Sequence, residues 1–462
     1  MAQMNALALA FGAFLALPAA AQDRSQEARE ASARGDTAAA ISIMREHLAA
    51  HPDDAAAKKD LARYYIWTGA YIEADALLSP MADADAEAKS LLAYNAAWAG
   101  RIDRALALNA DGLTRDAGDF QANYTQAIAL RQTARAYTAW PHVETVERAK
   151  PGSRDATDLR TGTRQRTASE ISLSWGLSDD SDDIRADRVG LSAAIDVAQD
   201  WRLLADWSTG SYRAPIGGGY QPVSGGTRID EDQLWLGAAY TPAQDTVITA
   251  MAGRSRTDLE SHTLGLLRID QRVNDDWRFS LGADRDRLGI SPRSVSLGLM
   301  RDRYLAQVRY TPDLHWTADA LFSRQDISDG NARSEVQLAV RRAVLRSPRA
   351  WLDIGGEVQW LSYDEAPGTG YYAPDNYRRF ALTASAYLPV NQDAGFSLRA
   401  GAGLQRDETF SGWESANDLG VDFTSRFADD WQVQISAGYS NRAQAAGVYD
   451  ARSFGVRLRK QF

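Results

Sequence analysis

Carboxylates and guanidinium groups fall on alternate positions through the last two-thirds of this 462-residue chain. Glu170, Arg188, Asp196, Arg202, Asp206, Arg278, Asp284, Asp286, Asp319, Asp353, Glu357, Arg379, Arg399, Asp422, Arg426 and Arg457 occupy the polar positions of alternating runs. Residues two apart share one face of an extended strand, so these charges belong to one surface. Such a surface can solvate and grip a polar polymer. With its signs nearly balanced it is no strong charge filter. Glu170, Asp196, Asp206, Asp284, Asp286, Asp319, Asp353 and Glu357 are the candidate polymer contacts. The irregular segments are more acidic, at Asp179, Asp180, Asp182, Asp183, Asp364, Glu365, Asp407 and Glu408. An acidic mouth favours a cationic or neutral polymer over an anionic one. Acidic loops are equally a common solvated surface, and both readings stand.

Covalent chemistry finds little support. The five histidines, His47, His51, His142, His262 and His315, show no metal-ligand spacing, and there is no cysteine. Neither a G-x-S-x-G elbow nor a phosphate-binding Walker loop occurs. "GRSRTDLESHT" (253–263) brings Ser and His near a loop, as in membrane-barrel lipases, at a spacing that is not distinctive. The sequence therefore reads as a non-enzyme with no catalytic residue, metal or cofactor. Its formal charge of −10 argues against nucleic acid.

The elements that must hold these charges are strands. In "ASEISLSWGL" (168–177), Ile171, Leu173, Trp175 and Leu177 alternate with Glu170, Ser172, Ser174 and Gly176. "WRFSLGADRD" (277–286) and "FSLRAGAGLQ" (396–405) repeat the pattern, which marks a strand with one apolar and one polar face. Strand centres fall near 172, 192, 205, 236, 250, 266, 281, 303, 319, 337, 355, 383, 400, 422, 435 and 456, an even number, with 14 to 18 as the range. Connections after even strands are short ("AQD", "VNDD", "ADD"), and those after odd strands tend to be long ("RAPIGGGYQPVSGG", "SYDEAPGTGYYAPDN"). That asymmetry predicts a 16-stranded antiparallel transmembrane β-barrel over 168–462, wide enough for an aqueous channel, with its short turns in the periplasm.

Of the 13 Trp, 10 follow residue 170. Trp201, Trp277, Trp316, Trp351 and Trp431 each follow a polar turn at the start of an odd strand. An indole combines an apolar body with one donor and prefers the headgroup boundary, so these five read as the periplasmic aromatic girdle. Trp351 breaks the alternation, because Leu352, Ile354 and Val358 read as lipid-facing; a bulge or a lumen position would account for it. The lumen face reads as short of aromatics. The chain ends on Phe462, an aromatic typical of clients of the barrel-assembly machinery.

Upstream the period changes. "ALALAFGAFLAL" (6–17), then "PAAAQD", reads as the apolar core and cleavage site of a signal peptide spanning 1–21. Residues 22–153 are Ala-rich with helical spacing. Small residues recur at Gly35, Gly69, Gly100 and Ala134, spaced 34, 31 and 34, close to the tetratricopeptide period. The reading is a short superhelix of about four helix pairs, with the small residue placed where two helices cross. Residues 154–167 are polar and aperiodic and read as a linker.

Two stretches carry a resemblance. "SPRSVSLGLMRDRYLAQVRYTPDLHWTADALFSRQDISDGNAR" (291–333) resembles the barrel of the poly-β-1,6-N-acetylglucosamine export porins, and "GYYAPDNYRRFALTASAYLPV" (370–390) is similar to a segment they share with cellulose export porins. The plan of signal peptide, repeats and barrel matches both, with fewer repeats than either carries. The resemblance implies an outer-membrane porin that exports a biofilm exopolysaccharide, partly deacetylated poly-N-acetylglucosamine first among the candidates. Its periplasmic repeats would guide the polymer or bind a modifying deacetylase or a synthase complex. The implied partners are thus the polysaccharide, that enzyme, outer-membrane lipid and the barrel-assembly machinery. The alternatives are cellulose or another exopolysaccharide, and a plugged outer-membrane anchor, assembly platform or phage receptor.

Overall fold

The computed structural model describes residues 24–366, 368–428, 430–441 and 450–462, so the expected signal peptide lies outside the described residues. The chain forms two compact units, one of residues 24–129 with 142–151, the other of 130–141 with 152–462.

The first unit is helical. Helix α1 (24–33) is followed by α2 (Thr37–Ala50), α3 (Ala55–Trp67), α4 (Tyr71–Leu78), α5 (Ala86–Trp98), α6 (Ile102–Arg115), α7 (Phe120–Leu130) and α8 (Trp140–Ala149). Asp36, Asp54 and Asp85 cap α2, α3 and α5 by accepting bonds from backbone N–H groups of the first turn. The periodic glycines have a different task from the one expected. Gly35, Gly69 and Gly100 take φ of +85°, +77° and +76° at helix ends, and a Cβ on Gly35 would meet nothing within 4 Å. Left-handed backbone, rather than close helix crossing, selects glycine there. Ala134 breaks the series: it lies in the other unit, where its N–H donates to the Gln244 carbonyl at 2.8 Å.

The packing follows from the apolar stripes of α3, α4 and α5. Ala62, Ile66, Ala74, Leu78, Leu91 and Leu92 form one buried cluster, and Asn95 ties α5 to α4 by donating to the Tyr71 carbonyl at 3.0 Å. Burial pushes the Tyr71 hydroxyl up to about 12.

The second unit is a closed barrel of 16 antiparallel strands. They are β1 (Glu170–Asp180), β2 (Arg185–Ala198), β3 (Trp201–Arg213), β4 (Arg228–Ala243), β5 (Thr246–Thr257) and β6 (Ser261–Arg272). There follow β7 (Trp277–Arg287), β8 (Met300–Tyr310), β9 (Trp316–Ile327), β10 (Ala332–Ser347) and β11 (Ala350–Tyr363). The last five are β12 (Tyr377–Pro389), β13 (Ala394–Arg406), β14 (Glu414–Phe427), β15 (Trp431–Ser440) and β16 (Ala451–Gln461). Every predicted strand centre falls inside one of them. Each strand pairs with its sequence neighbours, and β1 closes the ring on β16 from Glu170↔Gln461 to Asp180↔Ala451. Closure leaves no sheet edge to be solvated, which a bilayer requires.

The apolar face points to lipid. Leu281, Leu382, Leu404 and Leu419 are all more than half exposed on it. At its periplasmic rim Trp201 stacks on Tyr240, Trp277 on Tyr310 and Trp431 on Phe427, with ring centroids 4.5, 4.4 and 6.1 Å apart. Arg342 lies over Trp316 in the same belt. Trp351 is the exception, and the structure corrects its place in the girdle. It shares a face with Asp353 and contacts Tyr387 and Arg346. A bulge between Ala343 and Leu345 shifts β10 by one residue, which brings Arg346 opposite Trp351 on the polar face.

Residues 154–167, expected as an irregular linker, form helix α9 (Arg154–Thr167). Ser153 caps it, Asp155 lies in its first turn, and Arg164 and Arg166 lie in its last, the arrangement a helix dipole favours. Its buried stripe is only Ala156, Leu159 and Thr163, too slight to register as a period. Near it, residues 131–139 grip the periplasmic turns of the barrel. Arg135 pairs with Asp200 at 2.9 Å and donates to the Pro242 carbonyl at 2.9 Å, while Tyr137 donates to Asp200 at 2.9 Å.

Leu78 is fully buried in the helical core. Leu78→Ala is expected to cost about 3 kcal/mol. The check is a lower urea midpoint of the 222 nm helical signal, with the heat-modifiable gel migration of the barrel unchanged.

Candidate functional site

The candidate site is the inner wall of the barrel, and strand register assigns its members. Glu170, Ser172 and Ser174 stand opposite Gln461, Arg459 and Arg457 on one side and Ala194, Ser192 and Gly190 on the other. Following alternate residues from pair to pair around the ring puts all sixteen predicted charges on this face. Each predicted polymer contact therefore lies on the lumen side.

Their state is less available than expected. Glu170 pairs with Arg459 at 3.3 Å, Asp196 with Arg202 at 3.3 Å, Asp284 with Arg303 at 2.7 Å and Asp286 with Arg301 at 3.6 Å. Asp319 is held by Arg309 at 2.6 Å and by Arg341; Asp353 by Arg346 at 2.5 Å; Glu357 by Arg379. Asp206 alone of the eight carries no ion pair among the described residues. The reason is electrostatic. Charges lining a wall between lipid and a narrow water column are poorly screened, so a guanidinium on the same or the next strand lowers their energy. The sequence hid this because partners such as Arg303 and Arg309 are adjacent only across the sheet. Arg278, Arg426 and Arg457 also carry no ion pair among the described residues, so the free lumen charge is of mixed sign. The loop carboxylates likewise have local work. Asp364 pairs with Arg324 at 3.0 Å, Glu408 accepts from the backbone of Asp375 and Asn376, and Asp180 accepts from that of Asp182 and Ile184.

The lumen is better supplied with aromatics than the sequence reading allowed. Trp235 stands opposite Asp206 on one side and Gly253 on the other. A Cβ on Gly253 would come within 2.8 Å of the indole, so the ring packs against the β5 backbone, and Trp235 stays partly exposed on the lumen side. Trp351 and Tyr387 add an aromatic pair near the periplasmic end. Parity could have found Trp235, because Glu231, Gln233 and Trp235 share one alternation. Leu234 and Leu236, on the other alternation, carry the more obvious apolar pattern there.

Among the described residues, a clear departure from an open pore is the connection between β7 and β8. Residues 288–299 include a short helix, α10 (Pro292–Ser296), in which Pro292, Ser294, Val295 and Ser296 are buried. Val295 packs against Tyr212, Ile229 and Ala186 on β3, β4 and β2. Leu288 and Leu299 pack against Ile327, Tyr363 and Tyr371, while Ile290 also packs against Ile184 and Ala214. One segment thus touches inward residues from several sides of the ring, so it folds into the outer mouth. Three polar ties fix it, one of them the Val223 N–H donating to the Ser296 hydroxyl at 2.9 Å. Ser291 donates to the Gly370 carbonyl. Arg287, 0% exposed at its side chain, lies 3.1 Å from Glu231 and 3.2 Å from Glu260 and donates to the Val295 carbonyl at 3.1 Å. Ser255, from the Ser–His stretch, donates to Glu231 and accepts from Arg287 in the same network, and His262 sits 3.0 Å from Glu260.

Comparison with known proteins adds to this geometry. Residues 170–411 match the family described as the PgaA membrane beta barrel domain, and residues 31–94 match the tetratricopeptide repeat. A solved structure titled "Bacterial polysaccharide outer membrane secretin" superposes with a TM-score of 0.55 at 15% identity, over 64% of this chain and 98% of that one. CdiB from Acinetobacter baumannii gives 0.41 at 8% identity over 64% and 60%, and OmpT of Vibrio cholerae 0.36 at 11% over 64% and 96%. The first of these shares the barrel fold. No curated protein matches the chain.

Arg287→Gln leaves Glu231 without its fully buried partner and frees the β7–β8 segment. In planar bilayers this variant is expected to open more often, and deletion of residues 290–296 to raise single-channel conductance severalfold. Unchanged conductance in both would show that the segment does not limit the pore.

Proposed function

Because this chain belongs to the PgaA membrane beta barrel family, we propose that the polysaccharide its barrel exports is a largely acetylated poly-β-1,6-N-acetylglucosamine, which slides past Trp235 and Asp206. The barrel lies in the bacterial outer membrane and the repeats in the periplasm, as that family's architecture requires. The observation that carries the choice of polymer is the neutralised wall. A cationic, fully deacetylated chain would need free carboxylates, and seven of the eight candidates are already held by arginine. A neutral N-acetylhexosamine chain asks for less: a ring face to stack on and hydrogen-bonding groups that do not hold it too long. Trp235 offers the first, and the paired charges offer the second.

Passage needs no energy-transducing site here, since no nucleotide-binding motif occurs in the sequence. Synthesis on the far side of the periplasm would push the chain forward. The repeats would receive the emerging polymer or hold the deacetylase that trims it, and residual cationic units would find Asp206 and the acidic loops. A second reading has support in Trp235 itself, whose ring would serve a neutral glucan such as cellulose equally well. The plugged-anchor reading draws on the buried β7–β8 segment.

Current blockade by oligosaccharides separates these. In bilayers containing the full chain, β-1,6-linked N-acetylglucosamine oligomers are expected to produce longer blockades than fully deacetylated or cello-oligosaccharides of equal length. A stacking contact is worth about 1 kcal/mol, so Trp235→Ala should shorten the blockade roughly fivefold. Asp206→Asn should affect only deacetylated oligomers. Longest residence for cello-oligosaccharides would move the assignment to a glucan, and a silent barrel even after loop deletion would favour the anchor.

A further inference from the structure

We propose that the outward face of β12 and β13, at its extracellular end, binds a phosphate-bearing lipid of the outer leaflet, with the phosphate on Arg378 and Arg406 and an acyl chain in the groove below.

The argument starts from register. Arg378 and Arg406 stand directly opposite each other on neighbouring strands, and the inward Arg379 and Gln405 beside them place both on the lipid side. Like charges in that relation destabilise a sheet unless an anion sits between them. No carboxylate does so. Arg406 carries no ion pair among the described residues, and Arg378 donates only to the Asn376 side-chain oxygen at 3.0 Å. Four other outward arginines at this rim are matched: Arg213 with Asp187 at 3.6 Å, Arg228 with Asp230 at 2.7 Å, Arg285 with Asp302 at 3.0 Å and Arg324 with Asp364 at 3.0 Å. Arg185, Arg254, Arg256 and Arg452 have no ion pair among the described residues, but none of them faces a second unpaired arginine across the sheet as Arg378 and Arg406 do; Arg185 faces the matched Arg213. Two adjacent free guanidinium groups present forked donors to one phosphate.

The second observation lies one register step toward the membrane centre. Phe380 pairs with Leu404, and Leu382 with Ala402 on one side and Gly356 on the other. Gly356 and Ala402 offer too little side chain to cover Leu382, which remains 74% exposed. The result is a groove of about 490 Å³ walled by Val340, Val358, Phe380, Leu382 and Leu404. Depth is marked independently. Trp360 stands opposite Arg378, and Trp413 packs on Phe380 with centroids 5.5 Å apart, the aromatics expected where headgroup meets acyl chain. An apolar trough under a pair of free cations, opening onto lipid, matches an amphiphile with a phosphate head and complements it in charge.

The test uses the full chain, extracted in mild detergent, stripped of lipid and titrated with bisphosphorylated lipid A under native mass spectrometry. Wild type is expected to retain the lipid and to bind its dephosphorylated form at least about tenfold more weakly. The R378Q/R406Q double variant should lose affinity by a similar factor. Gly356→Leu should lower it by filling the groove, since a Cβ there meets nothing closer than 3.8 Å and folding is spared. Arg285→Gln, at a matched rim arginine, should bind as wild type does. Heat-modifiable gel migration verifies that each barrel is closed. Equal binding of phosphorylated and dephosphorylated lipid, or wild-type affinity in the double variant, overturns the phosphate site. Inorganic phosphate that binds as tightly as the lipid, or an unaffected Gly356→Leu, overturns the acyl groove.

Discussion

The barrel half of this molecule depends on one pairing, that of β1 with β16. A strand at an open edge would present its N–H and C=O groups to hydrocarbon, each at a cost of several kcal/mol. Eleven consecutive residue pairs, from Glu170↔Gln461 to Asp180↔Ala451, remove that edge. Once the ring is closed, every strand has lipid on one side and an enclosed space on the other. The alternation of the sequence, the sorting of loops by length and the tryptophan belt all answer to that division.

The same enclosure dictates the chemistry of the inner wall. Charges there have little bulk water to rely on, so most of them are matched across the sheet, as in Asp284 with Arg303 and in Asp319 between Arg309 and Arg341. The outcome is a surface that is polar without a strong sign. Such a wall can let a hydroxyl-rich chain exchange one set of hydrogen bonds for the next. The buried Arg287 shows the other use of pairing. Between Glu231 and Glu260 it becomes a tie for the segment that fills the outer mouth. Removing one partner from such a group is costly because the remaining charge stays buried. The segment is therefore held both by this buried charge and by apolar packing of Leu288, Val295 and Leu299.

Outside the ring, the departures from matching carry meaning of their own. Arg378 and Arg406 oppose each other without a carboxylate between them, above a groove left by Gly356 and Ala402. Inside it, Asp206 is left free beside Trp235. In both places an unpaired charge stands next to exposed aromatic or aliphatic surface, the combination that a ligand with polar and apolar parts completes.

Much of this was legible in the chain. Period two fixes which residues share a wall, so all 16 strands, the lumen side of the eight candidate carboxylates and four of the five girdle tryptophans follow from sequence alone. Glycines spaced near 34 mark the helix pairs, although their reason proved to be left-handed backbone rather than close packing. What periodicity does not contain is register. Which arginine meets which carboxylate, the β10 bulge that sets Arg346 opposite Trp351, the packing of Trp235 against Gly253, and the contacts that draw Val295 to Tyr212 all join residues distant along the chain. Those were decided by closure of the ring, because only a closed sheet fixes how far each strand slides against the next.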